Sequence, residues 1–296
     1  MKRQSWFRAL VVVFAVLLLA GASAAQSPNR ITILYDSFGN SPKLTLDWGY
    51  AALIEYGGKR ILFDTGNNAT IFEHNAKALG IDLTKIDFVV ISHRHADHTS
   101  GLTYLLKVNP KVKVYVPDEP WGLFARGVPN NFYRKDASLP SEQRYYNGNP
   151  PEILEAGTPW PGGNFTGVAK VTEVLPGFFI IPGVSTTPGT LELKELSLAI
   201  KSPKGVILVV GCSHPGVENI VKTATTIDPR VNIILGGFHH IQADDAEVAR
   251  LATALHGEVE RVAPGHCTGE PEFAALKKTF GDQYLYAGLG TVLQLP

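Results

Sequence analysis

Cysteine and methionine are scarce in this 296-residue chain, with two of the first and one of the second. Cys212 and Cys267 can close at most one disulfide, so no disulfide scaffold holds the fold and stability has to come from a packed core. Net charge is absent as well: 27 basic residues balance 27 acidic ones. Without a basic stripe to release counterions, the composition argues against nucleic acid as a partner. Nor is there an apolar run of the roughly 18 to 20 residues that a membrane span needs. The stretch Ala9 to Ala22 is shorter, follows Lys2, Arg3 and Arg8, and leads into Ala22-Ser23-Ala24-Ala25. That is the pattern of a secretory signal peptide. Residues 1–25 are therefore expected to be removed, leaving residues 26–296 as a periplasmic or secreted protein without stable membrane association.

The mature chain is long enough for one large domain with two core layers, and no linker divides it. Strand-like stretches at Ile31–Tyr35, Tyr50–Glu55, Arg60–Phe63, Phe88–Ser92 and Lys113–Val116 are interleaved with helical ones at Thr70–Leu79 and Gly101–Val108. The C-terminal third repeats one plan, a strand and then a helix: "GVILVVGCSHPG" before Val217–Ile227, "RVNIILGGFHH" before Asp244–Leu255, and "VERVAPGHCTG" before Glu270–Phe280. This is α/β grammar, and function gathers at the carboxyl ends of such strands. Residues 117–177 differ, being rich in Pro, Gly and Asn with the aromatics Trp121, Phe124, Phe132, Tyr133, Tyr145, Tyr146 and Trp160. They read as a cap over a site or as a small packed subdomain.

Behind a β-branched run, "VVISHRHADHTSGL" (Val89 to Leu102) crowds His93, His95, Asp97 and His98 together. In an extended chain His93, His95 and Asp97 share one side, and a turn or helix start just after Ala96 would bring His98 round to them. Imidazoles and a carboxylate in one small volume suit a divalent ion, zinc first, with iron and manganese as alternatives. His214, His239, His240 and His266 also follow apolar strands, so seven of the nine histidines stand at strand ends. Two ions become plausible. His74 and His256 sit in helical stretches and read as ordinary histidines.

These motifs, with "LFDTG" (Leu62 to Gly66) and the strand-end "PGH" at His266, resemble the metallo-β-lactamase superfamily. Within it, "GCSHPGVENI", "GGFHH" and "GHCTG" look most like the dihydropterin-ribofuranosylaminobenzene phosphate synthase-like branch. The resemblance implies an α/β fold, the four-layer αββα sandwich, with metals at one edge of two facing sheets. It implies His93 and His95 on a first ion, Asp97, His98 and His266 on a second, and Asp64 positioning the metal loop from beneath. Two departures matter. Hydrolytic members carry a histidine in a "PGHT" loop, whereas Thr190 stands there in "TTPGT"; His214 is expected to replace it. Cys212 occupies the place where many members bridge the ions with an aspartate. Cys212 and Cys267 remain open as buried small residues, thiolate ligands or a disulfide. His239 is either a ligand or a contact to ligand or substrate, and His240 a neighbour.

A bound metal lowers the pKa of its water toward roughly 7 and makes a hydroxide nucleophile. Asp97 would orient it, and His239 would donate to the leaving group or steady an oxyanion. The expected function is a metal-dependent hydrolase acting on an ester, lactone or phosphate ester of a small molecule. The alternatives are the branch's C–N bond-forming synthase and a non-catalytic metal-binding protein. β-Lactam hydrolysis ranks low for want of the "PGHT" histidine.

Overall fold

Two β-sheets face each other in the computed structural model of this chain, which describes residues 29–119, 128–131, 133–154, 160–185 and 193–296. The signal segment, Trp121, Phe124, Phe132 and the "TTPGT" stretch lie outside the described residues. Among the described residues no helix is long and apolar enough to cross a membrane.

In chain order the strands are β1 (Arg30–Tyr35), β2 (Ala51–Tyr56), β3 (Lys59–Phe63), β4 (Phe88–Val90), β5 (Lys113–Pro117), β6 (Val128–Pro129), β7 (Ile153–Leu154) and β8 (Asn164–Val168). They continue as β9 (Thr172–Leu175), β10 (Phe178–Val184), β11 (Lys194–Ser202), β12 (Gly205–Val210), β13 (Val231–Gly237), β14 (Val259–Gly265) and β15 (Val292–Gln294). The α-helices are α1 (Ala69–Ala78), α2 (Ala96–Thr99), α3 (Leu102–Val108), α4 (Val217–Ala224), α5 (Asp245–Glu258) and α6 (Glu270–Phe280). One sheet runs β15-β1-β2-β3-β4-β5-β8 and the other β14-β13-β12-β11-β10-β9; β6 and β7 pair alone.

Strand alternation divides the apolar residues into three cores, and these define four layers. Ile54, Phe63 and Val90 of the first sheet meet Leu198, Val209 and Leu235 of the second between the sheets. The alternate residues Leu53, Leu62 and Val89 pack outward on Phe72 of α1 and Leu102 and Leu105 of α3. On the other side Leu208, Val210 and Ile234 pack on Ile220 of α4, Leu251 of α5 and Leu276 of α6. Strands buried on both faces have no polar alternation, which is why β12 reads as the unbroken run "GVILVV". The architecture is the expected αββα sandwich.

One expectation is corrected. Residues 117–177 do not form a single cap, because β8 pairs in parallel with β5 and β9 pairs antiparallel with β10, extending the edges of both sheets. The β-branched and aromatic residues of "NFTGV" and "TEVL" carry that signal, obscured by their Gly-rich surroundings. The insertion proper ends before Asn164 and holds the β6–β7 pair and two exposed 3₁₀ turns.

The two sheets present their strand ends at one edge. In the first, β3, β4 and β5 run parallel; in the second, β12, β13 and β14 do. The sheets are joined there by Leu196 N–H donating to Ser92 O at 2.7 Å. Gly211 permits the approach, since a Cβ on it would stand 2.3 Å from Ser92 Oγ.

Candidate metal centre

Every expected site residue follows one of these strand ends. Asp64 follows β3, His93 to His98 follow β4, Cys212 and His214 follow β12, His239 and His240 follow β13, and His266 and Cys267 follow β14. The helix start expected after Ala96 is there: α2 begins at that residue, with His95 in extended conformation before it. Four of the six described non-glycine residues with positive φ belong to this edge: Asp64 at 57°, Ser213 at 64°, His239 at 55° and His266 at 45°. The left-handed region costs side-chain-bearing residues energy, and its concentration here accompanies the sharp turns that aim donors inward.

Among the described residues the donors fall into four groups of three linked through His93, His98, Cys212 and His266, and the two sets without a cysteine share no residue. Ligand atoms of His93, His95 and His214 lie within 4.8 Å of one another, and so do those of Asp97, His98 and His266. His93 Nε2 is 3.0 Å from His95 Nδ1, and His98 Nε2 is 3.2 Å from His266 Nε2. Asp97 Oδ2 stands 3.3 Å from His266 Nε2 and 3.6 Å from His98 Nε2. Tetrahedral zinc bonds of 2.0–2.1 Å place neighbouring ligand atoms about 3.3 Å apart, so these separations suit a shared cation. Cys212 joins the sets: its Sγ is 3.2 Å from His98 Nε2, and it groups with His93 and His98. Both cysteines are free and buried, and Cys267 Sγ points at Cys212 O, 3.7 Å away.

Buried carboxylates decide which nitrogen faces inward. Ser92 Oγ donates to Asp64 Oδ2 at 2.7 Å. With its one proton committed there, it accepts Nδ1–H of His93 at 2.9 Å. Asp64 Oδ2 also accepts Nδ1–H of His98 at 2.7 Å. Both rings are left with Nε2 lone pairs for the centre. In the second sheet Glu195 Oε2 accepts Nδ1–H of His214 at 2.9 Å and the His214 backbone N–H at 2.9 Å. Its Oε1 accepts the backbone N–H groups of Cys212 and Ser213, both at 2.8 Å. Neutral imidazole held by an outer carboxylate is what a metal-ligating histidine needs.

Electrostatics agree with that chemistry. Burial, with the neighbouring rings, pushes His93 well below its ordinary value and His95 to about 4. Burial likewise takes His266 to about 4. For Glu195 and Asp97 burial opposes ionisation, but hydrogen bonds from His214 and His266 respectively outweigh it and hold both carboxyls low. Burial also opposes charge on His98, and the field of Asp64 reverses the balance and raises it. Burial also raises Asp64, against the opposing pull of His98, so that pair shares its proton, while the lowered rings of His93, His95 and His266 beside the low carboxyls of Asp97 and Glu195 leave negative charge that a divalent cation would neutralise. The donor set therefore fits the metal ions expected of it.

His239 lies against His214 with ring centroids 4.4 Å apart, exposed to solvent, and outside both donor sets. Its place is beside the centre, and partial desolvation lowers its pKa. His240 turns away, its Nδ1 3.2 Å from Oε2 of the buried Glu272. Three participants escape a motif-based reading. Glu195 sits inside the apolar strand "KELSLAI", where a lone inward carboxylate was the available signal. Ser92 was visible only as the residue before His93. Asp36, buried after β1, accepts the backbone N–H of His266 at 3.0 Å, and burial pushes its carboxyl up to about 7.

A model of the metallo-beta-lactamase superfamily matches residues 45–266 of this chain. The chain belongs to that superfamily. Among its relatives, the 7,8-dihydropterin-6-methyl-4-(β-D-ribofuranosyl)-aminobenzene-5'-phosphate synthase of Methanocaldococcus jannaschii is 30% identical over 267 residues, 80% of this chain and 86% of the relative. A solved metal-dependent hydrolase of the β-lactamase superfamily superposes with a TM-score of 0.68 at 26% identity, covering 90% of this chain and 99% of that one. Human tRNase Z, short form, matches at a TM-score of 0.52 and 16% identity over 90% of this chain and 99% of its own, a likeness of fold. The superfamily is one of metal-dependent hydrolases that hold two ions as a rule, and the paired donor sets agree with that general character.

Proposed function

We propose that this chain is an exported metal-dependent hydrolase that cleaves an ester, lactone or phosphate ester of a small molecule. The observation that carries the reading is the pair of three-residue donor sets sharing one sheet edge, each with a buried carboxylate behind it. His93, His95 and His214 would hold one ion, and Asp97, His98 and His266 the other, with Cys212 as a further donor grouped with His93 and His98. Zinc suits the imidazole-rich set best, and iron and manganese are the alternative occupants. When bound, the ions supply a Lewis acid and an activated water.

The chain's own residues do the rest. Asp64, directly and through Ser92, keeps the inner nitrogens of His98 and His93 free of protons. Glu195 does the same for His214. Asp97, about a fifth exposed at its side chain, turns a carboxylate oxygen toward the centre and orients the attacking water. His239, a neutral ring against His214, would donate a hydrogen bond to the oxyanion that develops on the substrate.

Export is supported by Lys2, Arg3 and Arg8 ahead of the apolar segment and by the small residues near Ala24. N-terminal sequencing of the protein recovered from a periplasmic fraction tests it. A second reading, a C–N bond-forming synthase, is favoured by the 30% identical relative. Export argues against it, because a phosphorylated pterin intermediate belongs in the cytosol.

Elemental mass spectrometry on protein purified without chelator or nickel, beside a His95→Ala variant, tests the metal. Two equivalents per chain that fall in the variant support the reading. Refusal of metal on reconstitution rejects it. Turnover of model esters, lactones and phosphodiesters then separates hydrolase from synthase.

A further inference from the structure

Trp48 stands at the metal edge with its ring centroid 5.1 Å from that of His266, yet remains 45% exposed. A tryptophan serving only to cover His266 would gain by folding down and burying its outer face. It is instead held out by a loop pinned on both sides. Asn75 brackets Thr45, accepting its N–H at 2.9 Å and donating to its C=O at 3.0 Å. Asp47 takes the Tyr35 hydroxyl, and its own N–H donates to Asp36 O at 3.4 Å. Beyond Trp48, the Tyr50 N–H donates to Asp97 O at 3.2 Å. Gly49 has φ +146°, and a Cβ there would meet Asp97 O at 2.5 Å, so the loop lies directly on the backbone of a metal-set residue. Trp48 is thereby fixed relative to the donors.

Two further large apolar side chains are exposed on the segments that carry this edge. Leu46 is two residues before Trp48, and Ile241 follows His239 and His240. The Ile241 backbone rests on the turn after His266, where a Cβ on Gly269 would stand 2.9 Å from Ile241 Cα. Rigid apolar surface beside a polar reaction centre is the usual composition of a small-molecule site. We infer that Trp48, with Ile241 across the His266 turn, forms a platform for a flat apolar ring on the substrate, attached to the group that reaches the donors. Trp48 is a specificity-determining residue in this arrangement, and the inference rests on the metal-dependent reading above.

Calorimetric titration of the zinc-loaded full chain with 2-naphthoate, its saturated decahydro analogue and acetate tests the platform. Wild type binds 2-naphthoate more tightly than the saturated analogue and its tryptophan fluorescence is quenched. Trp48→Ala weakens 2-naphthoate about fivefold to tenfold, the range of an aromatic pair, with zinc content and acetate affinity unchanged. Trp48→Phe keeps most of the affinity. Equal binding of 2-naphthoate by Trp48→Ala and wild type, no binding by wild type, or equal affinity for the saturated analogue overturns the platform. So does an equal loss for acetate, which marks a merely structural role. A wild type that takes up no zinc overturns the metal reading and this inference with it; a zinc-loaded protein indifferent to Trp48→Ala overturns this inference alone.

Discussion

Glu195→Gln is the substitution that best separates a metal centre from a chance crowd of histidines. Glu195 is 1% exposed and accepts four hydrogen bonds, two at each oxygen. Glutamine keeps one oxygen, which can still serve Cys212 and Ser213. Its NH₂ then faces two donors, the His214 backbone N–H and Nδ1–H. Each lost bond to a buried charged acceptor costs roughly 1.5–3 kcal/mol. His214 can recover part of that by moving its proton to Nε2, so the metal-free protein should lose about 3 kcal/mol in urea unfolding. The shifted proton points into the donor set with His93 and His95, and zinc affinity should fall about 10–100-fold, as it does when an outer partner of a ligand is removed. Competition against a chromophoric chelator measures that fall. In a His214→Ala background the same substitution should change zinc affinity little, because the ring it acts through is gone. Wild-type zinc affinity in the single variant would refute the argument that Glu195 sets the tautomer.

Asp64→Asn applies the same logic to the first sheet, and the expected result is a loss of zinc from the Asp97, His98 and His266 set of about 10–100-fold by the same competition assay. Gly211→Ala places a Cβ 2.3 Å from Ser92 Oγ, so urea unfolding of the metal-free protein should register about 1–3 kcal/mol of overpacking strain. Stability of the metal-free protein should also depend on pH through His266, whose pKa burial lowers from 6.5 to about 4. The folded ring binds fewer protons than the unfolded one between those values, so stability falls as pH falls from about 6.5 to 4, by about 3 kcal/mol from this residue. Urea midpoints across that range should drop less steeply for His266→Gln, and parallel slopes would count against the shift.

Much of this was legible in the chain because strand-end histidines are rare enough to stand out and the apolar runs around them are simple. The end of β12 follows from where its apolar run stops at Gly211, and His93 to His98 follow from one contiguous motif. What stayed hidden was held by long-range contacts. Glu195 lies 19 residues from His214 and looks like one more charge in "ELKEL" until the strand's inward face is known. Asp36 and His266 are 230 residues apart, and only the sheet order brings them together. The edge strand at Asn164–Val168 was lost for another reason: its one glycine and the Pro- and Gly-rich residues before it resemble a loop, and its pairing to β5 decides otherwise. Likewise Trp48 carries no motif, and its exposure beside His266 is a property of the pinned loop.

The division of labour between the sheets gives the centre a dependence that no single motif contains. The first sheet brings Asp64 and orients His93 and His98 with it; the second brings Glu195 and orients His214. Neither sheet holds a complete set, since His93 and His95 need His214 from across the interface, and Asp97 and His98 need His266. Register between the sheets is therefore also register between the ligands. It is fixed near the centre by the Leu196 N–H to Ser92 O bond, whose donor residue packs in the core between the sheets. Ser92 thus meets both sides at once, with its carbonyl on β11 and its hydroxyl between Asp64 and His93. A shift of the sandwich by a fraction of an ångström at that point would be passed to the donor atoms, because a close-packed core transmits displacement instead of absorbing it. Apolar substitutions at Leu196 should consequently lower metal affinity as well as stability, whereas equal-sized changes at Ile54, placed on β2 and away from the strand ends, should lower stability alone.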